Sequence, residues 1–183
     1  MAKTLLITTT DIKQFTIVDG NVNNDKFIQF IEIAQDIHIQ NILGTDLLEK
    51  LQADIAGSSL AGDYETLANK VKPALIYYAF YEYLHWAGVT IKNKGVFRHT
   101  AEAAVVVDPD EIQRLIDTAK NYADNYALRL REYVMEANSS VFPELDSNDN
   151  DDLDPDLDPE WTNWNLDGYT PSPYPRKFLD RKR

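Results

Sequence analysis

One long apolar stripe constrains the fold of this chain more than any other feature of its sequence. Its residues recur every three or four positions, which is the period of one face of an α-helix. Asp108 fits the N-cap, Pro109 the first helical position and Glu111 a capping box, so a helix is predicted from there to about Glu136. The stripe consists of Ile112, Leu115, Ile116, Ala119, Tyr122, Ala123, Tyr126, Leu130, Tyr133 and Val134. A helix of this kind needs helical partners, so the fold class is predicted to be mainly α.

Shorter helical segments precede that helix. Thr10 is placed to cap a turn that ends at Phe15. Asn24 is placed to cap a long helix that ends at about Leu43, where Gly44 fits the left-handed position that closes a helix. We therefore predict a bundle of about four helices once the two segments that follow are added.

The next two helical segments lie between residues 46 and 86. Asp46-Leu47-Leu48-Glu49 has the pattern of a capping box and predicts a helix to about Ile55. A further helix is predicted from Asp63 to Trp86, with a kink or break at Pro73, because proline removes a backbone donor. The second half of this helix is apolar on nearly every face. That pattern indicates a helix at the centre of its domain or one covered by a neighbouring subunit.

Residues 88–107 change character. Two short β-branched runs flank the turn sequence Asn93-Lys94-Gly95, which predicts a β-hairpin that projects from the helical body. From Val89 to Ala101 the segment has basic side chains and no acidic one, although the whole chain has a net charge of −12. Lysines that keep an edge hairpin soluble explain this pattern. A contact with an acidic neighbour or with DNA passing close by explains it equally well.

The chain divides into a predicted helical domain, residues 1–143, and a C-terminal arm, residues 144–183. From Glu144 to Glu160 the arm has nine acidic residues and no basic one, so it is expected to be disordered or extended when alone. Aromatic and basic residues follow. Aromatics at this density indicate anchors that bind a partner, with Trp161, Trp164, Tyr169 and Tyr174 as the candidates.

Composition excludes several classes of function. Cysteine is absent, so neither a disulfide nor a thiolate nucleophile or metal ligand can form. The longest apolar stretch is too short to cross a bilayer, and we expect no signal peptide. The absence of cysteine suits a protein made in a reducing cytosol. A strongly acidic surface repels phosphate, so specific DNA binding is not expected.

One pair of residues has the spacing of a metal site. Glu82 and His85 form Glu-x-x-His, half of the motif of di-iron helical bundles. A second copy is missing, since neither His38 nor His99 follows a carboxylate at that spacing. A histidine near the C-terminal end of a helix explains the pair without a metal. We therefore expect no enzyme activity, no cofactor and no metal.

Three segments carry a family resemblance. They are the run from Phe27 to Leu43 with residues 34–45 (AQDIHIQNILGT) at its end, residues 71–79 (VKPALIYYA), and residues 91–96 (IKNKGV) together with the long helix that follows. Together they resemble small helical proteins of tailed phages and prophages of Bacteroides-like hosts, including crAss-like phages. That group is similar to head-to-tail connector, or adaptor, proteins. The resemblance covers about Thr8 to Val134, so the C-terminal arm lies outside it.

The resemblance implies a structural virion protein at the head–tail junction. Such proteins form a ring, usually of twelve copies, that joins the capsid portal to the tail and lines part of the DNA channel. The implied partners are sister copies, the portal protein and the next ring or tail protein; packaged double-stranded DNA passes without specific binding, and no membrane is involved. Two alternatives stay open: a helical metalloprotein that uses Glu82 and His85, and an acidic inhibitor that mimics DNA. The predicted interface residues are Lys92, Asn93, Lys94, Phe97, Arg98, Phe142, Trp161, Trp164, Tyr169 and Tyr174.

Overall fold

The computed structural model describes residues 3–18, 22, 24–87, 89–92, 95–98, 109–146 and 153–157. This part of the chain is mainly helical, as the sequence predicts. The elements are α1 (Thr9–Phe15), α2 (Asp25–Ala34), a π-helical turn (Gln35–Ile39), α3 (Gln40–Leu43), α4 (Thr45–Ala56), α5 (Gly62–Leu84), β1 (Val89–Lys92), β2 (Gly95–Arg98), α6 (Pro109–Val141) and a 3₁₀ turn (Pro143–Asp146).

Helices α5 and α6 form the axis of the fold and run antiparallel. At one end the rings of Tyr64 and Phe142 lie 5.4 Å apart, and in the middle Tyr77 stacks on Tyr126 at 5.8 Å. At the other end Leu84 packs in a cluster with Ile116. Helices α1 and α2 pack against α5 as well, so α5 is the central helix of the described body.

The apolar character of α5 is largely explained by its own chain. Its buried residues are Leu67, Ala68, Val71, Ala74, Leu75, Ile76, Tyr78, Ala79, Phe80 and Leu84. A kink or break is predicted at Pro73, and a break is absent, since α5 continues from Gly62 to Leu84. Partners on several sides hold the helix together although a proline inside a helix costs about 3 kcal/mol.

Helix starts differ from the sequence prediction. Thr8, not Thr10, caps α1: the Thr8 hydroxyl accepts from the Asp11 N–H (3.3 Å), and the Asp11 carboxylate accepts from the Thr8 N–H (2.7 Å). The Asn24 side chain makes no capping hydrogen bond. Helix α4 begins at Thr45, directly after Gly44, and has no side-chain cap, so the box predicted at residues 46–49 does not form. Local capping patterns therefore locate these helices but not their first residues.

The long helix predicted to end at Leu43 contains an irregular turn. Residues Gln35–Ile39 are π-helical, and Gln35 is fully buried. Its side-chain oxygen accepts from the Leu6 N–H (3.0 Å), and its amide donates to the Thr4 carbonyl (3.3 Å). The turn thus ties the N-terminal segment to the body. Turns of this type inside α-helices are frequent near functional sites.

Candidate interaction surface

The predicted interface residues fall into three groups. Lys92, Phe97 and Arg98 lie in β1 and β2, which pair antiparallel with Lys92 opposite Gly95 and Val89 opposite Arg98. Phe142 lies directly after α6. The remaining ones lie outside the described residues: Asn93, Lys94, Trp161, Trp164, Tyr169 and Tyr174.

The prediction for Phe142 is wrong, because its side chain belongs to the core. It is fully buried, and its ring contacts those of Tyr64 (5.4 Å) and Tyr133 (6.3 Å) edge-on. The physical reason lies four residues earlier: Asn138 adopts a positive φ of 49°, so the backbone leaves the helical path there. The sequence marks the end of the helix near this point but not the change of direction that follows.

An apolar surface is exposed where α1, α5 and α6 meet. Phe15 is 57 % exposed and Ile17 is 74 % exposed, which are large fractions for side chains of this size. The Tyr77 hydroxyl donates to the Phe15 carbonyl (3.5 Å), and the Tyr77 ring contacts that of Tyr122, which is also exposed. We call the exposed residues of this surface, Phe15, Ile17, Ile112 and Tyr122, the apolar face.

A groove of about 590 Å³ opens within the apolar face. Its apolar walls are Ile17, Leu84, Ala87, Ile112 and Leu115, and its polar walls are Glu111, Arg114 and Thr118. The groove therefore lies between the end of α5 and the start of α6. In sequence, residues 88–108, which include both strands, connect these two ends.

The pair Glu82 and His85 does not converge on a common centre. His38 Nε2 lies 2.9 Å from Glu82 Oε1, whereas His85 Nδ1 lies 2.9 Å from the Tyr81 carbonyl oxygen. Within the described residues, no three histidine, aspartate or glutamate side chains are grouped so that they could hold a metal ion. The partner of Glu82 is 44 positions away in sequence, so no local motif announces it.

His38 belongs instead to a polar and aromatic cluster on α5. Its ring stacks on Tyr78 at 4.0 Å and nearly parallel (4°). The Tyr78 hydroxyl donates to Asp124 Oδ1 on α6 (2.9 Å). Burial, and then the nearby Asp124 charge, raise the pKa of Tyr78 well above its ordinary value. The cluster links the π-helical turn to both long helices, which is a structural role.

Tyr64 gives a pH-dependent prediction. Burial and a hydrogen bond to Glu144 (2.9 Å) raise the pKa of Tyr64 to about 12 from its ordinary 10.0. The unfolded chain therefore releases this proton at a lower pH than the folded one, and the free energy of unfolding falls as pH rises from about 10 to 12. Urea denaturation at pH 8, 10 and 11 should show a smaller fall for Tyr64→Phe than for the wild type. Equal falls in the two proteins would contradict this role of Tyr64.

Part of the predicted C-terminal arm lies on the body. Residues 153–157, which we call the strap, have no regular secondary structure and run along the junction of α3 and α4. Leu157 packs against the main core, and Glu144 binds Tyr64. Acidic composition favours a solvated segment, but the strap is held mostly through its backbone, which composition does not reveal. The division at residue 143 stays a prediction.

No described helix has the length and apolarity that crossing a membrane requires. Searches of curated proteins and of solved structures give no match. Residues 39–153, from the end of the π-helical turn to the start of the strap, match the model of a family of unknown function, DUF6712. Because this match covers more than half of the chain, the protein belongs to the DUF6712 family.

Proposed function

We propose that this protein is a structural subunit of a head–tail connector ring in a tailed phage. In this proposal the ring lies beneath the portal at the head–tail junction, joins it to the tail and lines part of the DNA channel. The observation that carries the proposal is the apolar face beside the start of the predicted hairpin. The sequence resemblance over about Thr8 to Val134 supports it.

The apolar face is the kind of surface that a partner covers. Contiguous apolar patches on soluble proteins mark interaction sites when polar residues surround them. Here the polar residues Glu111, Arg114 and Thr118 line the groove together with the apolar Ile17 and Ile112. Complete burial of a fully exposed side chain of this kind contributes roughly 1.5–3 kcal/mol. Ile17, which is 74 % exposed, would gain more of this than Ile112, which is already more than half buried. A neighbouring copy that covers this face would gain that stabilisation.

A closed ring needs a second, different surface on each subunit. Contacts around a ring are heterologous, so one face of a subunit binds another face of the next. Helix α2 and the π-helical turn supply a candidate in Ile33 and Ile37, which are exposed and four residues apart. We propose that these isoleucines of one copy pack against the apolar face of the next.

The net negative charge of the chain supports a channel that does not bind DNA specifically. The chain has a net charge of −12, and an acidic lining repels the phosphate backbone. The basic residues of the hairpin, Lys92, Lys94 and Arg98, would then meet an acidic neighbour or the portal protein. In the same proposal the hairpin projects from the helical bundle, and the arm aromatics Trp161, Trp164, Tyr169 and Tyr174 anchor to adjoining ring or tail proteins.

The test is assembly of the full chain on the portal protein of the same phage, followed by electron microscopy and mass photometry. The wild type should form a closed ring on the portal. Ile17→Asp with Ile112→Asp should weaken this assembly roughly tenfold or more, because an unpaired carboxylate buried at an interface costs several kcal/mol.

Leu128→Asp is the matched control, because Leu128 is 40 % exposed and Ile112 is 41 % exposed on the same helix. It lies on the opposite side of α6 and should assemble like the wild type, and circular dichroism checks that all variants fold. Loss of assembly in both variants, or a wild type that stays monomeric beside the portal, would refute the proposal. Inhibition of a DNA-binding enzyme by that monomer would favour the acidic inhibitor instead.

A further inference from the structure

Within the described residues, main-chain atoms of the strap make four hydrogen bonds to the body. The Thr45 N–H donates to the Leu153 carbonyl (3.0 Å), and the Leu153 N–H donates to the Thr45 hydroxyl (3.0 Å). The Asp156 N–H donates to the Asn41 carbonyl (2.7 Å). Arg131 Nε donates to the Asp156 carbonyl (3.2 Å). These contacts bind the main chain of an extended segment.

The side-chain requirement of this site lies at Pro155. A Cβ atom at Gly44 would lie 3.0 Å from Pro155 Cδ and 3.2 Å from Pro155 N, so the strap lies directly on the glycine. Any other residue at position 155 would place a backbone N–H against Gly44, where it would lack an acceptor. Proline has no N–H and avoids this cost. The site also favours acidic residues, because Arg131 is a buried cation beside the strap. It is thus suited to an extended acidic segment with a proline at its centre.

The chain contains two such segments in tandem. Leu153-Asp154-Pro155-Asp156 occupies the site, and Leu157-Asp158-Pro159-Glu160 follows it immediately. A shift of four residues would place leucine, aspartate, proline and an acid again at the same four positions. The apolar position filled by Leu157 would then receive Trp161. Each contact of the first segment would then be made by the corresponding residue of the second.

We propose that Asn41, Gly44, Thr45 and Arg131 form a binding site for Leu-Asp-Pro-acid segments, and that the two tandem segments occupy it in turn. Each shift moves four residues through the site, which is roughly 13 Å of extended chain. The site thereby sets how far the aromatic residues after Glu160 reach from the body. The proposal concerns one chain and stands whether or not the protein forms a connector ring.

Cysteine cross-linking in the full chain tests this proposal, since the natural sequence has no cysteine. Asp46→Cys, next to Thr45, which binds Leu153, is paired in turn with Asp154→Cys, Asp158→Cys or Asn150→Cys and treated with a short bismaleimide. Position 158 is five residues from Leu153 in the observed arrangement, and a four-residue shift brings it to the place of position 154. Position 150 is the control. It lies four residues before position 154 and outside both Leu-Asp-Pro-acid segments, so no shift between the two segments brings it to the site. We expect intramolecular cross-links at 154 and 158 and only background at 150. Cross-linking at 158 no higher than at 150 would overturn the proposal.

Two proline variants sharpen the test. Pro155→Ala should reduce cross-linking at 154 about threefold and raise it at 158, since the substitution loosens the segment and adds an N–H against Gly44. Pro159→Ala should have the opposite effect. A fall at both positions in Pro155→Ala would show that the second segment does not replace the first. Cross-links between two molecules at 158 would also overturn the proposal, because they would show the site filled by another copy.

Discussion

Phe142→Ala is expected to lower the free energy of unfolding by about 3–5 kcal/mol, the range for removing a buried aromatic ring from a core. The ring is fully buried and contacts Tyr64 and Tyr133, so its removal leaves a cavity where α5 meets the end of α6. The neighbouring 3₁₀ turn depends on the same region, since the Leu145 N–H donates to the Phe142 carbonyl (3.1 Å). Urea denaturation followed by circular dichroism measures the loss.

Phe15→Ala is the matched control for this experiment. It removes the same ring from a side chain that is 57 % exposed, so the expected loss of stability is within about 0.5 kcal/mol. When assembly of the folded protein is measured, Phe15→Ala should have the larger effect of the two. Phe15→Ala removes part of the apolar face and should weaken assembly, whereas Phe142→Ala should affect assembly only through folding. If the two alanine variants were equally stable, Phe142 would not be a core residue.

The sequence predicts the helices of this protein because their periodicity is a property of consecutive residues. The stripe on α6 locates the helix correctly, and Gly44 is correctly placed at the end of α3, where φ is +78°. Helix starts are less predictable, since the penalty for an unused cap is only about 1 kcal/mol and packing decides between neighbouring candidates. This explains why Thr8 rather than Thr10 caps α1.

The features that sequence reasoning missed depend on residues far apart in the chain. Glu82 meets His38 rather than His85, and the two are 44 positions apart. Leu153 meets Thr45 across 108 positions. Composition and spacing describe a segment by itself, so they predict an acidic solvated strap. They contain no information on a backbone that is held by the carbonyls and amides of another element.

The apolar face could be anticipated only in part. Ile112 belongs to the stripe of α6 and is predicted to be buried, yet it is 41 % exposed. The reason is geometric: α5 ends at Leu84, and its antiparallel packing places that end beside Ile116, so α6 begins beyond its partner. A stripe that extends past the helix that covers it leaves apolar residues available to another subunit. The relative ends of two helices cannot be derived from either helix alone.

Gly44→Ala is expected to lower the free energy of unfolding by about 1–3 kcal/mol, because φ +78° with ψ 167° is a conformation that non-glycine residues rarely adopt. The added Cβ would also lie 3.1 Å from the Leu153 carbonyl oxygen, so the strap must move away. Cross-linking between positions 46 and 154 should therefore fall in this variant. Thermal or urea unfolding measures the stability term.

Gly62→Ala separates the two effects of that substitution. Gly62 also has a positive φ, +62°, but a Cβ there would meet no atom within 4 Å. The variant therefore carries backbone strain without crowding and should leave cross-linking at 154 unchanged. The excess loss of stability in Gly44→Ala over Gly62→Ala then includes the crowding of the added methyl group against the strap. Equal losses, with the cross-link intact in both, would mean that the strap accommodates the methyl group and that close contact with Gly44 does not hold it in place.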